Sequence, residues 1–169
     1  MRTDCALNII LIGMPGAGKS TVGVLLAKRL GYHFVDSDLL LQAAERRRLQ
    51  EIIVADGLSA FMEIEEKILC ALTGTRTVFA TGGSAVYSET AMRHLRSLGT
   101  IVYLDLPLDA LEQRVMDMDA RGVVLDPGET FGDLYRRRTP LYRQYADLTI
   151  NGRGCTADEI AARVEESVC

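Results

Sequence analysis

The segment that most constrains this chain is Gly13–Ser20, which has the form G-x-x-x-x-G-K-S. An apolar, β-branched run at 8–12 precedes it, and apolar residues at helical spacing follow from 21 to 30. A strand, a glycine loop and a helix in this order form a phosphate-binding unit. The glycines let backbone N–H groups turn toward an anion, and the helix N-terminus adds partial positive charge. The sequence therefore predicts a site for the phosphates of a nucleotide.

The fixed positions of this segment have separate roles in binding a nucleoside triphosphate. The Lys19 ammonium can reach the β- and γ-phosphates, and the Ser20 hydroxyl can ligate Mg²⁺. We therefore expect ATP and Mg²⁺ as cofactors and Lys19 as a catalytic residue. The predicted nucleotide-binding residues of this segment are Gly13, Gly16, Ala17, Gly18, Lys19, Ser20 and Thr21.

Length and composition narrow the class of protein. The chain has 169 residues, which predicts a single domain over 1–169. A formal net charge of −4 argues against nucleic acid or an anionic membrane as a partner. The four cysteines form no C-x-x-C pair, and no apolar run approaches the roughly 20 residues of a membrane span. We expect a cytoplasmic monomer that acts on a small molecule.

Helical and strand-like patterns alternate along the chain, which predicts an α/β fold with a mainly parallel sheet. A helix that begins near Thr130 is expected to break near Pro140. The least regular stretch, 119–129, is the candidate for a mobile lid. Ligands of open α/β sheets bind at the carboxyl ends of the strands. The predicted strands are 8–12, 33–35, 77–80, 100–104 and 147–150.

Two aspartates follow the second predicted strand. Asp36 and Asp38 are two residues apart, so they would point the same way if the extended geometry continues. One carboxylate could orient Mg²⁺ and its waters, and the other could accept a proton from an attacking hydroxyl. Asp38 could also cap the helix expected to begin at Leu39.

Three further features could contribute to ligand binding or catalysis. Gly82 and Gly83 follow the third predicted strand and permit close approach of a ligand, although a plain turn would also use them. Arg121, in the candidate lid, could close over a transferring phosphoryl group or remain a solvated surface residue. One of the three adjacent arginines at 136–138 could face an anionic substrate.

These motifs together resemble those of the shikimate kinase family. The resemblance covers nearly the whole chain and is carried by the glycine loop, by 34–38, by 80–83, by Arg121 and by 138–142. It implies a three-layer α/β/α fold with a five-stranded parallel sheet in the order 2-3-1-4-5 and a mobile lid. It also implies ATP-dependent phosphorylation of shikimate to shikimate 3-phosphate.

On the nucleotide side, the resemblance assigns a role to four residues outside the glycine loop. It implies that Asp36 lies near Mg²⁺ and that Arg121 reaches the phosphates. It implies that Arg114 and Arg153 contact the adenine.

On the acceptor side, the resemblance assigns the substrate diol and the role of general base to Asp38. It implies that Gly82 and Gly83 line the substrate pocket and that Arg138 binds the substrate carboxylate.

Three positions depart from the family's pattern. Met62 stands where the family has an arginine that clamps the substrate carboxylate, and Ser84 stands where it has a third pocket glycine. Gly122 follows Arg121 where the family has proline. All three lie on the acceptor side or in the lid, and Met62 and Ser84 are predicted to bind the substrate together with Asp38, Gly82, Gly83 and Arg138. The sequence therefore constrains the identity of the phosphoryl acceptor less than that of the donor, ATP.

Two alternatives follow from these departures. The acceptor could be another small hydroxy acid or amino alcohol, similar to homoserine or gluconate, because Glu63 and Glu65 would favour an ammonium group near Met62. An arginine from 46–48 could instead compensate for Met62. In a different class, the chain could be a nucleotide-binding regulator without catalytic activity.

Overall fold

The computed structural model describes residues 7–117, 123 and 125–169 of the chain. The strands are β1 (Asn8–Ile12), β2 (His33–Asp36), β3 (Thr77–Ala80), β4 (Gly99–Asp105) and β5 (Leu148–Asn151). The first four helices are α1 (Lys19–Leu30), α2 (Ser37–Glu45), α3 (Leu49–Asp56) and α4 (Leu58–Cys70). A short 3₁₀ helix (Ala85–Tyr87) precedes α5 (Glu89–Leu98), α6 (Leu108–Asp117), α7 (Phe131–Tyr145) and α8 (Ala157–Val168).

The five strands form one parallel sheet in the order β2-β3-β1-β4-β5. The predicted α/β fold and strand order are therefore confirmed. Because all the strands are parallel, their carboxyl ends lie along one edge of the sheet. The glycine loop, the Asp36–Asp38 turn and Gly82–Gly83 follow β1, β2 and β3 at this edge. The topology thus brings the predicted functional segments together.

The core surrounds the central strands. Every residue of β1 and β3 is buried, as expected for parallel strands covered on both faces. Helix α1 packs on α8 and on β1, β2 and β3, while α5 packs on α4 and β4. A smaller apolar cluster of Leu41, Ile52 and Phe61 joins α2, α3 and α4. Burial of this cluster fixes α4 relative to α2 at the functional edge.

Helix α7 continues through Pro140, so the predicted break there is wrong. A proline inside a helix removes one backbone hydrogen bond and crowds the preceding turn. Pro140 is exposed, so water can solvate the carbonyl that loses its partner. The helix is anchored on both sides of the proline by buried side chains, namely those of Arg138, Thr139 and Tyr142. Tertiary packing of this face outweighs the local cost of the proline.

The candidate lid is described only in part. Of the candidate lid at 119–129, residues 119–122 and 124 lie outside the described residues, so lid movement stays a prediction. At the end of this stretch, Arg137 pairs with Asp126 at 2.5 Å and with Glu129 at 3.0 Å.

Within the described ranges, no helix has both the length and the apolar character required to cross a bilayer.

Candidate active site

The glycine loop connects β1 to α1 with a backbone that requires glycine. Gly16 and Gly18 have φ values of 82° and 86°, in the left-handed region that glycine adopts without a Cβ penalty. Gly13 has φ 149°, and a Cβ there would lie 3.0 Å from the carbonyl oxygen of Leu104. The loop geometry therefore follows from the spacing of its glycines.

Lys19 lies across this loop. Its Nζ donates hydrogen bonds to the carbonyl oxygens of Gly13 at 2.8 Å and Met14 at 2.9 Å. Burial lowers the pKa of Lys19 to about 8, against the opposing effect of the Asp38 carboxylate. The ammonium is thus held beside the loop, where a phosphate would lie.

Ser20 and Asp36 form a hydroxyl and carboxylate pair at the mouth of the loop. The Ser20 Oγ donates to Asp36 Oδ2 at 2.5 Å. Oxygen ligands of this kind fit Mg²⁺, which takes most of its remaining ligands from water and substrate phosphates. Among the described residues, no group of three or more His, Cys, Asp or Glu side chains could hold a metal ion. A metal here would therefore depend on the nucleotide.

The turn after β2 differs from the sequence expectation. Helix α2 begins at Ser37, so the extended geometry does not continue from Asp36 to Asp38. The cap is Asp36, whose Oδ1 accepts the backbone N–H of Asp38 at 2.9 Å. The expectation that Asp38 caps the helix is wrong. The expectation that the Asp36 and Asp38 side chains point the same way from a continued strand is also wrong. This cap leaves the Asp38 side chain free to face β3.

Asp38 faces the glycine pair that follows β3. Burial raises the pKa of Asp38 to about 6, and the nearby Asp36 carboxylate adds to the rise. A Cβ on Gly82 would lie 2.9 Å from Asp38 Oδ1 and 2.3 Å from Glu65 Oε1. Only glycine leaves room there, so both carboxyl groups can reach a ligand that lies against this backbone.

Arg138 lies beside the second glycine of the pair. It is 1% exposed, and a Cβ on Gly83 would lie 2.7 Å from its Nη1. Its Nε donates to the Tyr87 hydroxyl at 3.1 Å. The Tyr142 hydroxyl donates to the Gly83 carbonyl at 2.7 Å, which holds α7 against the same turn. The buried member of the three adjacent arginines is Arg138, because Arg136 and Arg137 are exposed.

The sequence indicated Glu65 only as a possible attraction for an ammonium group and Ser84 only as a residue of the substrate pocket, and it predicted no contact between them. Glu65 is 4% exposed, and its Oε2 accepts a hydrogen bond from the Ser84 Oγ. Its Oε1 has no hydrogen-bond partner among the described protein atoms. Burial raises the pKa of Glu65 to about 7. A buried carboxyl oxygen aimed at Gly82 is a candidate ligand for an acceptor hydroxyl.

Met62 lines a cavity of about 140 Å³ next to this cluster. Glu65 is among its lining residues, but Asp38 and Arg138 are not. Tyr87 also lines the cavity, although no sequence motif indicates this residue. The lining residues are Met62, Glu63, Glu65, Glu66, Leu69, Ser84, Ala85, Tyr87 and Ser88.

The alternative in which an arginine from 46–48 compensates for Met62 finds no support in this geometry. None of these three arginines is among the lining residues. Arg47 instead pairs with Asp56 at 2.6 Å and with Glu45 at 3.2 Å. The described wall of the cavity around Met62 therefore contains carboxylates and no cation.

The remaining predicted nucleotide-side arginines have different surroundings. Arg114 Nη1 donates to the Gly16 carbonyl at 3.2 Å, so its side chain lies against the glycine loop. Arg153 is exposed, with its Nη2 3.9 Å from Asp109 Oδ1. Arg121 lies outside the described residues. The adenine and phosphate contacts expected of these residues stay predictions.

Comparison with known proteins agrees with this arrangement. The family model "Shikimate kinase" matches residues 15–169. The chain is 36% identical over 160 residues to a shikimate kinase of Thermodesulfovibrio yellowstonii, covering 93% of this chain and 92% of that protein. It is 38% identical over 167 residues to a shikimate kinase of a Nostoc species, covering 96% and 91% of the two chains.

A solved structure gives the same result. The fold matches that of a shikimate kinase from Acinetobacter baumannii in complex with shikimate, with a TM-score of 0.88 and 33% identity. The match covers 96% of this chain and 92% of that chain. Sequence, fold and site geometry therefore agree, and the chain belongs to the shikimate kinase family.

Proposed function

We propose that this chain transfers the γ-phosphoryl group of ATP to a hydroxyl of shikimate, giving shikimate 3-phosphate and ADP. The observation that carries the proposal is that Asp38 and Arg138 lie against the Gly82–Gly83 backbone and that both interact electrostatically with Lys19 of the glycine loop. A phosphate-binding cation, a carboxylate base and a carboxylate-binding cation are the three groups that this transfer requires.

On the donor side, the backbone of the glycine loop binds the phosphates and Lys19 balances the charge that develops on them. Ser20 and Asp36 are the residues that would hold Mg²⁺, which neutralises phosphate charge when it is bound. Arg114 lies against the loop and is proposed, with Arg153, to contact the adenine. Arg121 is proposed to reach the phosphates from the lid.

On the acceptor side, Asp38 is the proposed general base. As the acceptor oxygen forms its bond to the γ-phosphorus, the bond to the β-γ bridging oxygen breaks and ADP leaves. The hydroxyl proton passes to a carboxylate oxygen of Asp38. A pKa of about 6 leaves most of this carboxyl ionised at neutral pH while keeping it basic enough to accept a proton.

Arg138 is the proposed ligand of the substrate carboxylate. Its guanidinium is buried beside Gly83, where the lack of a side chain leaves room for it, and a guanidinium can bind a planar carboxylate through two hydrogen bonds. With the hydroxyls at Asp38 and the carboxylate at Arg138, shikimate would lie along the Gly82–Gly83 backbone. Met62 and Ser84 would border this pocket.

A second candidate acceptor is a small hydroxylated metabolite with an ammonium group. The observation that favours it is the cavity wall around Met62, which carries Glu63, Glu65 and Glu66 without a described cation. An ammonium group placed there would be attracted to these carboxylates.

An ADP-release assay against shikimate, homoserine and gluconate decides between these acceptors. Wild-type enzyme is expected to turn over shikimate fastest, and Asp38→Asn is expected to lower kcat by roughly 10²- to 10³-fold with unchanged MgATP affinity. Asp158→Asn, an exposed aspartate on α8, is the matched control. Faster turnover of homoserine would replace shikimate with the second candidate. A collapse of ATP affinity in Asp38→Asn would move this residue to the metal site.

A further inference from the structure

We propose that Tyr87 is a second ligand of the acceptor carboxylate, donating its hydroxyl proton to it beside Arg138. The inference rests on the proposed function, because it assumes that the acceptor is an acid bound by Arg138. It adds a residue that determines specificity at the end of the 3₁₀ helix, where no sequence motif indicates one.

The hydrogen bond between Tyr87 and Arg138 leaves the phenolic proton available. A guanidinium can only donate, so the Tyr87 oxygen accepts from Arg138 Nε at 3.1 Å. Among the described residues, no oxygen accepts a hydrogen bond from the Tyr87 hydroxyl. The phenol therefore presents a donor next to the buried cation.

The other hydroxyls that line the cavity beside Met62 are already engaged. Ser84 donates to Glu65, and Ser88 donates to Glu66 at 2.5 Å. Of the side-chain hydroxyls in this lining, Tyr87 is thus the one whose proton has no acceptor within the described part of the chain. The same lining carries Glu63, Glu65 and Glu66, which would repel a carboxylate, so the Tyr87 hydroxyl beside Arg138 is the favourable place for one to bind.

The Tyr87 ring is fixed before any ligand arrives. The Arg138 Cζ lies 5.1 Å from the ring centre and the Arg137 Cζ lies 5.5 Å from it. Arg137 is itself anchored by ion pairs to Asp126 and Glu129. Cation–π contacts at these distances are attractive. A hydroxyl on a fixed ring loses little conformational entropy on binding, which favours a specific ligand geometry.

The nearby charges favour a carboxylate over a hydroxyl as the partner of Tyr87. Two guanidinium groups lie against the ring, so an anion placed at the phenol is stabilised by charge as well as by the hydrogen bond. Met62 on the same wall adds apolar contact and no charge. The site would therefore bind a carboxylate through one cation and one neutral donor.

The test is Tyr87→Phe, which removes the hydroxyl and keeps the ring. We expect the KM for shikimate to rise about tenfold, as for a lost hydrogen bond to a charged group, with kcat within about twofold. The KM for ATP should not change. Tyr145→Phe, at the last residue of α7, is the matched control and should leave every constant unchanged.

The methyl ester of shikimate separates ligation from a structural role. If Tyr87 binds the carboxylate, Tyr87→Phe should weaken shikimate about tenfold but should change the KM of the ester by less than about twofold. An equal rise in KM for both compounds would show that Tyr87 only supports the fold of the pocket. An unchanged KM for shikimate would show that it has no role in binding. Either result would overturn the proposal.

Calorimetry of shikimate binding in the presence of MgADP keeps this inference distinct from the proposed function. Wild-type protein that binds shikimate in a Tyr87-dependent manner but does not phosphorylate it would overturn the proposed function alone. Rapid phosphorylation of shikimate with identical affinity in wild type and Tyr87→Phe would overturn this inference alone. Protein that neither binds nor phosphorylates shikimate would overturn both.

Discussion

The nucleotide side and the acceptor side of this site differ in how their polar groups are satisfied. On the nucleotide side, Lys19 makes two hydrogen bonds to loop carbonyls, and Ser20 is bonded to Asp36. On the acceptor side, a buried oxygen of Glu65 has no described partner, and the uncharged side chain of Met62 borders the pocket. The first region is assembled in advance, and the second retains an unsatisfied group for a ligand.

This difference reflects what each region is made from. The phosphate loop uses backbone amides and one short segment, so a local motif specifies nearly all of its geometry. The acceptor pocket uses side chains of α2, α4, α7 and the turn after β3. Such a pocket can change its ligand by single substitutions without affecting the loop. Three variants test this comparison.

The largest effect is expected from Lys19→Met. Loss of the ammonium should lower kcat about 10³-fold, because it removes charge stabilisation of the transferring phosphoryl group. Burial already lowers the pKa of Lys19 to about 8, so removing the charge should leave the melting temperature unchanged or raise it. ADP release and thermal unfolding measure the two quantities. Lys28→Met, an exposed position of the same helix, is the control, and a large loss of stability in Lys19→Met would show a structural role instead.

The second prediction concerns stability and pH on the acceptor side. Glu65 has a usual pKa near 4.5 that burial raises to about 7 in the folded chain. A raised pKa means that its contribution to stability is complete below pH 4.5 and is lost as the pH rises to 7. Over this window Glu65 should lower the free energy of unfolding by up to about 3 kcal/mol. The side chain in Glu65→Gln cannot ionise, so this variant should not show the fall in the free energy of unfolding.

Urea unfolding of wild type and Glu65→Gln at pH 4.5 and pH 7.5 measures the effect, since the other titrating groups cancel in the difference. Glu63→Gln, an exposed glutamate of the same helix, is the control and should show no such change. Equal pH dependence in all three proteins would mean that Glu65 is neutralised by a partner. The acceptor side would then be as fully satisfied as the nucleotide side.

The smallest effect is expected from Met62→Arg. Positions 62 and 65 are three residues apart on α4, so the new guanidinium can lie beside Glu65 and the acceptor carboxylate. We expect the KM for shikimate to fall about tenfold with little change in kcat, as for an interaction formed equally in the ground and transition states. Met62→Leu should match wild type. A wild-type KM that is already tight, and that Met62→Arg does not lower, would show that the acceptor side has not diverged.

Much of the fold followed from local pattern. The predicted strands lie within two residues of the observed bounds, and the strand order implied by the family resemblance is the observed one. Two local expectations were wrong for physical reasons. Pro140 lies within α7 because neighbouring side chains are buried, and Asp36 caps α2 because its carboxylate can accept the N–H of Asp38 as well as the Ser20 hydroxyl. Tertiary packing outweighed local preference at Pro140, whereas at Asp36 a local cap started the helix two residues earlier than expected.

The site shows the same division between local and long-range information. The sequence by itself determined the phosphate loop, because its glycine spacing, its lysine and its flanking strand and helix are contiguous. It also supplied Asp38 and Gly82 as candidates from their positions after predicted strands, and the family resemblance selected Arg138 among three adjacent arginines. Their meeting depends on the parallel sheet, which places the ends of β2 and β3 side by side and brings α7 against the same turn.

Only the tertiary structure identified the contacts of Glu65, Ser84 and Tyr87. Ser84 follows Glu65 by 19 residues and Arg138 follows Tyr87 by 51, so no short spacing in the sequence couples either pair. Burial sets the pKa of Glu65, and the packing of α7 against the 3₁₀ helix sets the partner of the Tyr87 hydroxyl. Properties that arise from desolvation and long-range contact become visible only when the chain is folded, because they belong to the environment of a residue and not to its identity.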